Sequence, residues 1–147
     1  MQCKTNRHSV YCMTYHAVFV IKYRREVITS EMMEHIRKLT ERLMKGYGGE
    51  LLELNGESDH IHILFTVPPQ KAPSVIVCSL KTQISKEMRL YFYESFKDKL
   101  WKDTFWSESY FIATTGGATI EVLENYIQQQ GVAKKKRKYI RKQPSVT

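Results

Sequence analysis

The sequence predicts an α+β fold, a ferredoxin-like or RRM-like split β-α-β sandwich built on a four-stranded antiparallel sheet. Three features carry that expectation. Segments rich in β-branched and aromatic residues alternate with amphipathic ones in the order β-α-β-β-α-β-α. The link between the second and third strands is short, which argues for antiparallel pairing. The two other connections between strands are long, and each carries a helix, as a split arrangement demands.

The elements follow in chain order. Residues Val10–Ile21 are rich in Val, Ile, Tyr, Phe and Thr and read as a strand. Residues Ser30–Lys45 read as a helix, with Met32, Met33, Ile36, Leu39, Leu43 and Met44 at helical spacing. Ser30 is its expected cap, Glu31 favours the N-terminal dipole and Gly46 ends it. Residues Leu51–Leu54 form a short strand, and Asn55-Gly56 signals a turn within the loop Asn55–Asp59. The next strand, His60–Val67, is closed by Pro68-Pro69. A second helix starts near Pro73 and runs to about Tyr93, with Ile76, Leu80, Ile84 and Met88 on one stripe. Residues Phe105–Thr114 read as the fourth strand, broken by Gly116-Gly117. Thr119 then caps a third helix, Ile120–Gln130.

Composition narrows the function. A chain of 147 residues, 42% hydrophobic and 26% charged, is one ordinary globular domain, which excludes a disordered or collagen-like polymer. The longest apolar run, Ala17–Ile21, has five residues, far short of a membrane span. The basic start lacks an apolar segment after it, so no secretory signal is expected. Cys3, Cys12 and Cys78 cannot all pair and form no metal-binding spacing, so a reducing, cytoplasmic setting is the default. Seven of the 23 lysines and arginines, and none of the 15 acids, lie in residues 132–147, so this segment carries +7 of the net charge of +8. We therefore divide the chain into a domain, 1–131, and a basic C-terminal tail, 132–147. Such a tail is either a nucleic-acid arm or a solubilising end.

Two groups of residues carry chemistry. Strand side chains alternate faces, so Ile61, Ile63, Phe65 and Val67 share one face and His60, His62, Leu64 and Thr66 the other. Two imidazoles so placed can reach one ion, and Asp59 can orient a ring from behind. The alternative is a pair of solvated or core-satisfied histidines. On the last helix, Tyr126 and Gln130 are four apart and share a stripe beside Ile120, Leu123 and Ile127. A rim tyrosine on a helix docked by its apolar face is the simpler reading of that pattern.

The runs SDHIHILFTVPP, SLKTQISKEMR, FWSESYFIATTGG and YIQQQ, in this order, together with HSVYCMTYHAVFVIKYRR, resemble the single-tyrosine HUH transposases, enzymes of insertion sequences that move as single-stranded DNA. The resemblance spans about residues 8–131. It implies a helix that carries a nucleophilic tyrosine, Tyr126, and a divalent ion held by His60, His62 and Gln130. All three ligands are neutral, so the ion keeps its charge toward a scissile phosphate. Imidazole ligands alone favour zinc or another transition metal, whereas the family uses Mg2+ or Mn2+. The implied reaction leaves a 5′-phosphotyrosine and a free 3′-hydroxyl, and needs no ATP. No P-loop motif is present. The implied partners are single-stranded DNA with imperfect hairpins and a second copy of the chain, which supplies the tyrosine helix to a composite site.

Candidate DNA contacts are Lys81, Lys86 and Arg89 on the second helix, Arg24 and Arg25 after the first strand, and Lys134, Lys135, Lys136, Arg137 and Lys138 in the tail. Two other readings stand beside this one. A domesticated repeat-associated transposase or a nickase would share the chemistry. A non-catalytic nucleic-acid-binding module would share only the sheet.

Overall fold

The computed structural model describes residues 3–101, 104–114 and 120–130, the side chains of Ile120 to Leu123 excepted. Its elements are β1 (Lys4–Thr5), β2 (Val10–Tyr11), β3 (Thr14–Val20), α1 (Ser30–Gly46), β4 (Glu50–Glu57), β5 (His60–Thr66), α2 (Pro73–Phe96), β6 (Phe111–Thr114) and α3 (Ile120–Gln130). The main sheet has the order β4-β5-β3-β6, with every neighbouring pair antiparallel. The two central strands, β3 and β5, are thus the first and third of the β-α-β-β-α-β unit, as the split arrangement predicts.

One face of this sheet makes the core. Tyr15, Ala17 and Phe19 of β3 and Ile61, Ile63 and Phe65 of β5 join a buried cluster with Met32, Ile36 and Leu39 of α1 and Ile76, Leu80, Ile84 and Met88 of α2. Period two on the strands meets period 3.6 on the helices, and burial of both apolar faces is the main stabilising term. The helical stripes fall where the sequence predicts them.

Several boundaries differ from expectation. The first strand is two elements: β2 pairs with β1 as a separate ribbon, and β3 begins after Cys12-Met13. Cys3 and Cys12 are joined across that ribbon as a disulfide, a pairing not anticipated by a reducing setting, and Cys78 is free and exposed. Thr29, not Ser30, caps α1, its hydroxyl accepting from the Met32 amide at 3.2 Å. Asn55-Gly56 is not a turn. Strand β4 runs through it to Glu57, and the chain reverses at Ser58-Asp59. Gly56 serves close strand approach instead: a Cβ there would strike the His60 carbonyl and lie 2.8 Å from Ile61 Cα. The fourth strand is confined to Phe111–Thr114, with a single bridge from Trp106 to Ile21 before it. Gly116, Gly117 and Thr119 lie outside the described residues. No helix among those residues is long and apolar enough to cross a membrane.

Candidate active site

The second face of the sheet carries His60, His62 and Leu64 on β5, beside His16, Val18 and Val20 on β3. Register fixes their rows: Val20 pairs with His60, and Val18 pairs with both His62 and Phe111. Helix α3 packs over this face, touching β3 and the tight turn Lys22–Arg24 that follows it. The Tyr126 ring meets the Phe111 ring at 5.6 Å, in the row of His62. Gln130 lies in the row of His60, because its Oε1 accepts from the Ser107 hydroxyl at 2.7 Å and the Ser107 amide donates to the Val20 carbonyl at 2.6 Å. The two spacings agree: four helical residues rise about 6 Å, and two strand residues span about 6.6 Å. The pair on α3 is therefore in step with the pair on β5, at a lateral distance of about two strand spacings, roughly 10 Å between Phe111 and His62 backbones.

Each side chain is held by named partners. His60 Nδ1 lies 2.8 Å from Asp59 Oδ1. A carboxylate only accepts, so Nδ1 carries the proton and a neutral ring offers Nε2 outward. The Arg24 Nε donates to the other Asp59 oxygen at 2.9 Å. Burial pushes the Asp59 carboxyl up, but the bonds from His60 and Arg24 outweigh it and hold the group below its ordinary range. Tyr23 and Arg24 both have positive φ, 58° and 56°, an uncommon conformation for side-chain-bearing residues. That kink turns the guanidinium back to the carboxylate. Arg24, a candidate phosphate contact, is thus also part of the support for His60.

His62 Nε2 stands 2.8 Å from His16 Nδ1. Burial first, and the neighbouring His16 second, lower the His62 pKa and favour the neutral ring, the form that binds metals. Tyr126 Oη and Ser109 Oγ are 2.8 Å apart, and Ser109 also reaches Gln130 Oε1 at 3.3 Å. Burial raises the Tyr126 pKa and the Ser109 bond offsets part of that, so the docked phenol is neutral. Ser107 and Ser109 sit on a loop fixed by Lys81, whose Nζ donates to the carbonyls of Ser107, Glu108 and Ser109 at 2.8, 3.3 and 3.2 Å. Burial lowers the Lys81 pKa. Lys81 therefore ties the loop beneath the tyrosine.

The structure brings Tyr126, Gln130, His60, His62 and Asp59 to one side of the sheet. Arg25 and Lys86 are exposed, and Arg89 bonds Ser85 at 2.7 Å along a cleft of about 440 Å³ that Lys22 also lines. Lys134, Lys135, Lys136, Arg137 and Lys138 lie outside the described residues. Glu57 stands with Asp59 and His60 in a group whose ligand atoms lie within 4.8 Å of one another. Sequence reasoning missed His16, Ser107 and Ser109. His16 shares strand-face parity with Val18, but only the register between β3 and β5 reveals that it faces His62.

Comparison with known proteins identifies relatives of the chain. The model of the family described as "Transposase IS200 like" matches residues 9–130. The ISDra2 transposase TnpA of Deinococcus radiodurans is 29% identical over 130 residues, covering 88% of this chain and 92% of its own. The transposase for insertion sequence element IS200 of Salmonella typhimurium is 31% identical over 130 residues, covering 86% and 82%. Among solved structures, a putative transposase from Deinococcus radiodurans superposes with a TM-score of 0.74 at 25% identity, covering 86% of this chain and 97% of its own. A REP-associated tyrosine transposase bound to a REP hairpin shares the fold, with a TM-score of 0.54 at 11% identity, covering 94% and 76%. Because the family model spans residues 9–130, most of its length, the chain belongs to the IS200-like transposase family.

Proposed function

We propose that this transposase cleaves and rejoins single-stranded DNA at hairpin-marked element ends through a covalent 5′-phosphotyrosine at Tyr126. The observation that supports this most is the matched spacing of Tyr126 and Gln130 on α3 with His62 and His60 on β5, across one sheet face. One structural neighbour is bound to a REP hairpin, and hairpin DNA is the ligand we propose here.

The donor set fits a divalent ion. His60 has its outer nitrogen free because Asp59 holds the inner one, His62 is biased to the neutral ring, and the Gln130 carbonyl is a neutral oxygen donor in the same row as His60. When bound, Mg2+ or Mn2+ polarises the scissile phosphate and stabilises the charge that develops on it. The residues do the rest. Asp59 and Arg24 hold the His60 ring in one tautomer. Ser109 holds the Tyr126 hydroxyl, and Lys81 holds Ser109.

Tyr126 is neutral when docked, so its proton must leave as the phenolic oxygen bonds to phosphorus. The 3′-oxygen departs and is protonated to a free hydroxyl. Attack by the 3′-hydroxyl of a second strand reverses the step and releases the tyrosine. In the single chain α3 docks on its own sheet. In the proposed homodimer the partner's copy of this helix occupies the same face.

Incubating the protein with labelled single-stranded element ends and Mg2+ tests the proposal. A band that survives denaturation is expected, and Tyr126→Phe should lose it while retaining hairpin binding. Binding without any such band would favour the non-catalytic module.

A further inference from the structure

His16 has no place in the reaction proposed above, yet its ring faces His62 at hydrogen-bonding distance. The two rings are inclined by only 7° and their centroids are 5.0 Å apart. The facing nitrogens, His16 Nδ1 and His62 Nε2, are 2.8 Å apart. That is close to the smallest separation that rings with those centroids can offer, so both nitrogens lie near the line joining the ring centres. The rings meet edge to edge, in nearly a common plane. This is the geometry of a linear N–H···N hydrogen bond, with one ring donating and the other accepting.

The bond uses the site's own ligand atom. Asp59 takes the inner nitrogen of His60, leaving Nε2 outward. Nε2 is the matching nitrogen of the second ring, and in His62 that atom is engaged by His16. No ion fits between two nitrogens 2.8 Å apart that point at each other, since metal–imidazole bonds are about 2.0–2.1 Å each. The bond and the ion exclude one another at that atom.

We infer that His16 is a built-in placeholder for the metal, bonded to His62 Nε2 in the ion-free protein and displaced from it when a divalent ion binds. The inference rests on the reading that His60 and His62 hold that ion. His16 is half-buried on β3, diagonal to His62 across the β3–β5 pair, so rotation of its own side chain frees the ligand without moving either strand. The arrangement keeps His62 in a fixed rotamer before the ion arrives, and it subtracts the worth of one hydrogen bond from ion affinity.

The test is Mn2+ binding to the full chain without DNA, read from the loss of the free-ion electron paramagnetic resonance signal. His16→Phe and His16→Ala, each checked for folding by circular dichroism, should both bind Mn2+ about threefold to tenfold more tightly than wild type, the equivalent of one neutral hydrogen bond. Weaker binding would make His16 a ligand or a support of His62 and overturn the inference. Equal affinity would also overturn it. No Mn2+ binding by wild type or either variant would sink the metal reading itself, which separates the two failures. A second readout is ring-nitrogen NMR under Mg2+ titration. His16 Nδ1 should lose its hydrogen-bonded signature as Mg2+ binds, and a signature that persists at saturation would contradict displacement.

Discussion

Asp59 is the residue through which His60 is tied to the turn that follows β3. Its two oxygens are shared between His60 and Arg24, and the bond to His60 joins two largely buried side chains. Loss of a carboxylate behind a metal-binding imidazole typically costs 10–100-fold in affinity. We expect Asp59→Ala to weaken Mn2+ binding by about that range, measured by isothermal titration, with the fold unchanged. Affinity within twofold of wild type would show that Asp59 does not orient the ring. At this scale the sequence was partly legible. Alternation along β5 is a local property, so the shared face of His60 and His62 could be read directly. The bonds of Arg24 to Asp59 and of His16 to His62 join residues 35 and 46 positions apart, and no local pattern encodes them. The bonds of Lys81 to the carbonyls of Ser107, Glu108 and Ser109 span 26 to 28 positions and are equally invisible to a local pattern.

Among the elements, the β4–β5 hairpin sets the position of both histidines. Its turn was misplaced because Asn-Gly is a strong hairpin signal, yet here Gly56 is paired with Ile61 inside the ladder. The space argument is specific, since a methyl group at Gly56 meets backbone atoms that cannot rotate away. Gly56→Ala should therefore lower stability by about 2–3 kcal/mol in urea denaturation. A change below 0.5 kcal/mol, the ordinary range for surface positions, would contradict that close approach. Strand β3 was read as too long because Cys12-Met13 carries no glycine or proline to mark the break.

Helix α3 is docked partly through a tyrosine whose pKa is raised by burial. Its contribution to stability is intact below the ordinary phenol pKa of about 10 and is lost as pH rises through the higher folded value. Thermal stability of wild type should accordingly fall more steeply than that of Tyr126→Phe above about pH 10. Parallel curves would mean that the phenol is not buried by docking.

For the whole molecule, charge and fold are separate matters. Nearly all of the positive excess lies in residues 132–147, outside the domain that carries the site. If all seven basic side chains meet phosphates of a single strand, removing the tail should reduce the magnitude of the log K against log salt slope by about 5. An unchanged slope would leave the tail with no part in DNA binding. The strand order and the two-helix core were legible because periodicity and connection length constrain them strongly. The docking of α3 was not, because the same helix can cover its own sheet or that of another copy. The homodimer proposed above would use the face that α3 covers in the docked single chain.

If Tyr126 is the nucleophile, its phenolic oxygen is bonded to DNA phosphorus in the adduct. Digesting the denaturation-resistant adduct with protease and nuclease, then sequencing the modified peptide by mass spectrometry, tests it most directly. The expected product is a nucleotide attached through its 5′-phosphate to the tyrosine of the peptide that contains ENYIQQQ. Attachment at any other residue, or the same yield of adduct from Tyr126→Phe, would contradict it.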